Sequence, residues 1–126
     1  MDNSVIILGA RGSVPVSGAS FTRYGCATTC VLVRMGGEEI VLDAGTGLLN
    51  LPAETARRRE LPLLLSHPHA DHLLGLPLSP YGTCEGARLD VYAASRNGLD
   101  ARAQAERLMS PPLWPVGPEQ RPAPSF

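Results

Sequence analysis

The sequence predicts an α+β fold in which short strands outnumber helices. Five apolar segments of five or six residues have the length and composition of strands, whereas two segments have helical character. Two of the strands are separated only by Gly36-Gly37, which is typical of a β-hairpin. With 126 residues and 44% hydrophobic residues, the chain can form a core of its own and is expected to be one domain.

The predicted strands and helices can be assigned in chain order. Strands are predicted, in chain order, over residues 4–8, 30–35, 38–43, 61–66 and 88–93. A helix is predicted over 53–60 and another from Leu99 to Met109, where Asp100 is placed to cap its start. The segment after Ser110 is rich in proline and is expected to lack regular structure. Residues 1–110 are therefore predicted to form the domain, and residues 111–126 a proline-rich tail or the start of a further part of the fold.

All three histidines lie in one hexapeptide, His67-Pro68-His69-Ala70-Asp71-His72, directly after a predicted strand. Imidazole and carboxylate groups are the ligands that suit zinc, iron or manganese. Residues two apart in an extended segment point the same way, so His67 and His69 can bind one ion. Asp71 and His72 face a different direction and can bind a second ion. The alternative is a surface loop that binds metal adventitiously, which the preceding strand makes less attractive.

At this point the sequence resembles the metallo-β-lactamase superfamily, whose members are mostly metal-dependent hydrolases. The resemblance rests on His67-x-His69-x-Asp71-His72 and on Asp43-Ala44-Gly45, which is similar to the superfamily's Asp-x-Gly element. Gly9-Ala10-Arg11-Gly12-Ser13-Val14-Pro15 and residues 23–30 are similar to the branch that contains ribonuclease Z and cyclic-phosphate phosphodiesterases. Without the resemblance, Asp43 reads equally well as an ordinary turn aspartate.

The resemblance implies a function and a set of roles. It implies an αββα sandwich and hydrolysis of a phosphodiester. It also implies two divalent metal ions, with zinc expected and manganese or iron as alternatives. His67 and His69 would hold the first ion, and Asp71 and His72 the second, with Asp71 also orienting the attacking hydroxide. Asp43 would support these ligands from behind without touching the ions. Hydrolysis of a lactam, ester or thioester is the alternative chemistry.

Complete members of the superfamily are about twice as long and take further ligands from later segments. This chain has no histidine after His72, and its later aspartates, Asp90 and Asp100, lie in different contexts. We therefore expect the chain to cover about the N-terminal half of the fold, which leaves its status as an enzyme open. Three alternatives follow. The chain is a fragment of a hydrolase, or it is one half of an assembly that a complementing C-terminal half or a second copy completes. In the third alternative it is an inactive metal-binding or interaction module.

Composition and charge indicate which substrate class and which cellular compartment to expect. A net charge of −1 and the absence of a basic patch make a small cyclic nucleotide or cyclic phosphate a better expected substrate than nucleic acid. Residues 1–4 carry no basic stretch and no apolar run is long enough to cross a bilayer, so a cytoplasmic protein is expected. In that compartment Cys26, Cys30 and Cys84 are expected to be free thiols.

Overall fold

In the computed structural model, which describes residues 3–79, 81, 86–120 and 124–126, five strands form a single mixed sheet. The strands and helices are β1 (Ser4–Gly9), β2 (Cys30–Met35), β3 (Glu38–Leu42), α1 (Ala53–Ala56), β4 (Glu60–Leu65), β5 (Arg88–Ala93) and α2 (Ala101–Leu108). The strands lie in the order β1-β2-β3-β4-β5. The predicted α+β class is therefore confirmed.

The sheet changes direction once along its width. Strands β1, β2 and β3 are antiparallel neighbours, whereas β3, β4 and β5 run parallel. Gly36 and Gly37 form the two-residue turn between β2 and β3, and both have positive φ, at 61° and 87°. A side chain strongly disfavours that conformation, which explains why this hairpin uses glycine. Because β3 and β4 run parallel, their carboxyl ends meet at one edge of the sheet.

One face of the sheet carries the core. Alternate residues of the strands point to that face, among them Leu32, Val41, Leu63 and Val91, each at most 4% exposed. Segments outside the sheet complete this core with the buried side chains of Leu48, Leu73, Leu76, Tyr81, Ala105 and Met109. The core explains why the apolar positions of β4 and β5 are fixed in register.

The opposite face of the sheet, which we call the outer face, is also apolar. One row crosses all five strands in register, from Ile7 through Val31, Leu42 and Leu64 to Tyr92. A second row joins Val5, Val33 and Ile40. Ile7 remains 61% exposed and Tyr92 58% exposed, so nothing in the described part of the chain covers these ends of the row.

Two of the predicted elements are wrong in extent. The helix expected over 53–60 ends at Ala56, because Arg57 already leaves the helix and Glu60 pairs with Arg88 as the first residue of β4. The tail, expected to lack regular structure, contains a helical turn at Pro118–Gln120, and Ser125 pairs with Asp90. Strand β5 lies at the sheet edge, where its free backbone groups can accept such a partner.

The predicted second helix is confirmed. It begins after Asp100, whose Oδ1 accepts a hydrogen bond of 2.9 Å from the Ala103 N–H. Cys26 and Cys30 are free thiols, as expected, and burial raises the pKa of Cys30 to about 12. Cys84 lies outside the described residues. No helix in the described part of the chain is long and apolar enough to span a membrane.

Candidate metal centre

The histidine loop follows β4 at the edge where β3 also ends. Its first part is extended, and a 3₁₀ turn then forms at Ala70–His72, closed by a 2.9 Å hydrogen bond from the His72 N–H to the His69 carbonyl. The buried side chains of Leu73 and Leu76 anchor the chain beyond the turn in the core. A second 3₁₀ turn follows at Leu76–Leu78.

Asp43 lies directly behind this loop. It is 7% exposed and has φ of 61°, a left-handed conformation that aspartate tolerates better than most residues. Its Oδ1 accepts a 2.8 Å hydrogen bond from the Ser66 N–H, and its Oδ2 accepts one of 2.8 Å from Ser66 Oγ. The same Oδ2 lies 2.9 Å from His72 Nδ1, close enough for an ion pair although the ring is not aligned for a hydrogen bond.

Two glycines let the neighbouring loops approach each other. A Cβ atom at Gly45 would overlap the Asp71 carbonyl oxygen and lie 2.5 Å from Thr28 Oγ1. A Cβ atom at Gly75 would overlap the Gly45 carbonyl oxygen. The Gly75 N–H donates a 2.8 Å hydrogen bond to the Ala44 carbonyl, and the Ala44 N–H donates one of 2.8 Å to the His72 carbonyl. The Asp43-Ala44-Gly45 segment therefore fixes the backbone of the histidine loop.

Asp71 and His72 are placed as two ligands of one ion. Asp71 Oδ2 lies 3.4 Å from His72 Nε2. Two ligand atoms that each lie about 2.1 Å from a tetrahedral zinc ion are about 3.4 Å apart. The pair thus has the separation that the predicted second ion requires.

Asp71 is held from the other side by Ser13, a residue that the sequence did not single out as part of the site. The Ser13 N–H donates a 2.8 Å hydrogen bond to Asp71 Oδ2. This hydrogen bond is the main reason that the pKa of Asp71 is lowered, with the nearby His72 contributing as well. Ser13 has φ of 67°, so the turn after Gly12 adopts an unfavourable conformation to present its N–H group.

The ring of His67 lies against those of His69 and His72. The His67 ring centroid lies 4.5 Å from that of His69 and 4.1 Å from that of His72. Burial lowers the pKa of His67, and the two neighbouring histidines lower it further, which favours the neutral form that binds metals. Within the described residues, no three His, Cys, Asp or Glu side chains are already arranged around one point. The structure thus brings all four predicted ligands together and places one pair of them at ligand spacing.

A separate concavity of about 520 Å³ lies near the start of β3, lined by Arg34, Glu39 and Glu54 among others. Arg34 Nε lies 2.7 Å from Glu39 Oε1, and Arg34 Nη2 lies 2.9 Å from Glu54 Oε1. These charges pair with each other at the end of β3 opposite the histidine loop. We therefore assign this cluster a structural role.

Comparison with known proteins gives consistent matches in sequence. The chain is 35% identical over 75 residues to ribonuclease Z from a Bradyrhizobium species, a match that covers 58% of this chain and 23% of the relative. It is 35% identical over 79 residues to ribonuclease Z from Treponema pallidum, covering 61% and 23%. The chain thus spans less than a quarter of the length of these relatives. No family model matches it.

Solved structures match over more of the chain. The metallo-β-lactamase fold protein YhfI from Bacillus subtilis superposes with a TM-score of 0.53 and 22% identity, covering 74% of this chain and 36% of that one. A diphosphatase from the PhnP family superposes with a TM-score of 0.53 and 20% identity, covering 83% and 43%. The chain therefore has part of the metallo-β-lactamase fold.

Proposed function

We propose that the chain is the part of a metal-dependent phosphodiesterase that carries its histidine-rich metal loop. The observation that carries this proposal is the assembly of His67, His69, Asp71 and His72 in one loop, with Asp43 hydrogen-bonded behind it. The similarity to proteins named ribonuclease Z and to a diphosphatase of the PhnP family supports phosphorus as the attacked centre. Residues 1–110 would form this part, with residues 111–126 continuing towards the remainder of the fold.

The donor set fits divalent metal ions. His67 and His69 would hold the first ion, and Asp71 and His72 the second, with zinc expected and manganese or iron as alternatives. When bound, the ions lower the pKa of water and stabilise negative charge on the attacked group. Because its pKa is lowered, Asp71 is a carboxylate at neutral pH and can accept a hydrogen bond from the attacking water. Asp71 would in this way orient the nucleophile towards phosphorus.

The substrate is proposed to be a phosphodiester, with a small cyclic nucleotide or cyclic phosphate as the first choice because the chain carries a net charge of −1. The expectation that nucleic acid is an unlikely substrate needs correction, since the matched relatives are named ribonuclease Z. RNA therefore belongs among the substrates to be tested. A cytoplasmic location is proposed together with this function.

The exposed apolar side chains on the outer face of the sheet favour a partner that covers this face. The apolar row is continuous across the sheet, and Val5, Ile7 and Tyr92 are each more than half exposed. A contiguous exposed apolar surface of this kind is typical of a protein interaction site. We propose that the complementing C-terminal half of the fold covers this face, with a second copy of the chain as the alternative. The same partner would bring the remaining metal ligands.

The test combines metal binding with turnover. The purified chain, alone and together with the partner that completes its fold, would be titrated with zinc and manganese and then assayed with bis-(p-nitrophenyl) phosphate, a 2′,3′-cyclic nucleotide and a precursor tRNA. In the completed assembly we expect metal-dependent hydrolysis of a phosphodiester that the His69→Ala variant lacks. Hydrolysis of p-nitrophenyl acetate or a lactam in place of the phosphodiesters would contradict the proposed chemistry.

A second candidate is a non-catalytic metal-binding module. It is favoured by the pair Asp71 and His72, whose Oδ2 and Nε2 atoms lie 3.4 Å apart, a spacing that suits binding an ion and does not by itself supply turnover. In the same experiment, this function predicts that zinc binds and that His69→Ala weakens the binding, while none of the phosphodiesters is hydrolysed. Measuring binding and turnover on one preparation therefore separates the two candidates.

A further inference from the structure

The hydroxyl group of Ser66 lies between Asp43 and the first histidine of the metal loop. Ser66 Oγ is 2.8 Å from Asp43 Oδ2 and 3.0 Å from His67 Nδ1. Both backbone polar groups of Ser66, the N–H and the carbonyl, are hydrogen-bonded. Its N–H donates to Asp43 Oδ1 at 2.8 Å, and its carbonyl accepts a 2.9 Å hydrogen bond from Arg96 Nη2. These bonds fix the backbone from which the hydroxyl projects, and the contacts of Oγ with Asp43 and His67 orient the hydroxyl itself.

The positions of the Ser66 hydroxyl proton and the His67 ring proton follow from which groups can donate a hydrogen bond. A carboxylate can only accept hydrogen bonds, so the single proton of the Ser66 hydroxyl goes to Asp43. The oxygen of the hydroxyl then faces His67 Nδ1 with a lone pair. That contact is favourable only if Nδ1 carries the proton of the neutral ring, which leaves the lone pair of Nε2 free.

We propose that Ser66 is a positioning residue that passes the orienting effect of Asp43 on to His67, so that His67 presents Nε2 to a metal ion. Asp43 contacts His72 directly, with Oδ2 2.9 Å from Nδ1. One buried carboxylate thus lies against His72 directly and reaches His67 through a hydroxyl. The inference rests on the proposed metal centre, although its first test needs no metal.

The role of Ser66 has a consequence for the metal-free protein. A neutral histidine side chain in water prefers to carry its proton on Nε2, which blocks the nitrogen proposed here as the ligand. Ser66 would reverse that preference before any ion arrives. The free energy needed to reverse it would then be supplied by folding and not by metal binding. Removal of the hydroxyl would therefore weaken metal binding by about 10- to 100-fold, as is typical for groups that orient ligands.

The test is a long-range ¹H–¹⁵N correlation spectrum of the metal-free protein at a pH where His67 is neutral. We expect His67 to carry its proton on Nδ1 in the parent protein and in Ser66→Thr, which keeps the hydroxyl. In Ser66→Ala the proton should move to Nε2, while the tautomer of His69, which has no described contact with Ser66, should not change. Ser66 is exposed, so its replacement by alanine leaves no cavity in the core.

Zinc titration of the same three proteins completes the test. We expect Ser66→Ala to bind zinc 10- to 100-fold more weakly and Ser66→Thr to bind within a few-fold of the parent. A parent protein whose His67 carries its proton on Nε2 would overturn the inference, as would equal zinc affinity in the parent and Ser66→Ala. A parent protein with the expected tautomer that binds no zinc would overturn the proposed metal centre and leave the tautomer assignment intact.

Discussion

Replacement of Gly75 by alanine should damage the contact between the Asp43 segment and the histidine loop. Gly75 has φ of −76° and ψ of −22°, a conformation open to any residue, so backbone strain plays no part. The added Cβ would overlap the Gly45 carbonyl oxygen and would lie 2.9 Å from Leu48 Cβ and 3.0 Å from the Ala44 carbonyl oxygen. Because two of these three neighbours are backbone atoms, no side-chain rotation can relieve the overlap.

The magnitude follows from the contacts that must open. Overpacking by one methyl group costs about 1–3 kcal/mol. Separating the segments also strains the Gly75 N–H to Ala44 carbonyl bond and the Ala44 N–H to His72 carbonyl bond, both 2.8 Å long, each of which contributes about 1 kcal/mol. The free energy of unfolding should therefore fall by about 2–5 kcal/mol, equivalent to roughly 6–15 °C in the melting temperature.

The assay is thermal and urea unfolding followed by circular dichroism, with Gly12→Ala as the matched control. A Cβ at Gly12 would meet no atom within 4 Å, and the residue has no positive φ, so the control should change stability by less than about 0.5 kcal/mol. Equal melting temperatures for Gly75→Ala and Gly12→Ala would refute the close packing of the two segments.

Four further results are expected. Asp43→Asn tolerates the left-handed conformation but places an amide against Ser66 or His72, so zinc affinity measured by calorimetry should fall about 10- to 100-fold; unchanged affinity would contradict the supporting role of Asp43. Leu63→Ala should lower the free energy of unfolding by about 2–5 kcal/mol in urea titrations, because the side chain is fully buried; a change under 1 kcal/mol would contradict that. Asp100→Ala should cost about 1 kcal/mol in the same assay by removing the cap of α2, whereas the exposed Ser95→Ala should change stability by less than about 0.5 kcal/mol; equal losses would contradict the capping role. Zinc at 100 times its Kd should stabilise the chain by about 2.7 kcal/mol in a thermal shift assay, and EDTA should reverse this; no shift would mean that the folded chain does not bind the ion selectively.

The strands were predictable because their signal is local. The apolar runs of β2 and β5 lie between turn residues, and their observed bounds, Cys30–Met35 and Arg88–Ala93, are those that the sequence indicated. The Gly36-Gly37 turn was equally clear, since few other dipeptides allow two successive positive φ angles. The four candidate metal ligands could be singled out because they lie within six consecutive residues.

Contacts between distant segments escaped sequence reasoning. Ser13 and Asp71 are separated by 58 positions, and the hydrogen bond between them uses a backbone N–H that any residue carries. Ser66 precedes the motif directly, yet its importance depends on Asp43 arriving from the end of β3. The parallel pairing of β3 with β4 brings the two together, and that pairing cannot be inferred from either strand alone.

The predicted helix over 53–60 failed for a related reason. Arg57-Arg58-Arg59 has good intrinsic helix propensity, but the segment has no apolar stripe to pack against the core. Pairing of Glu60 with Arg88 in the sheet then decides where the helix must end. Tertiary contacts override propensity here, as they do for the Ser125 bridge in the proline-rich tail.

The most direct test of the metal centre is a calorimetric zinc titration of the purified chain alongside His69→Ala, with correct folding of both confirmed by circular dichroism. We predict that the parent chain binds zinc and that His69→Ala, which loses a ligand of the first ion, binds measurably less. Stoichiometric zinc retained by His69→Ala with unchanged affinity would contradict the assignment of the histidine loop as the metal site.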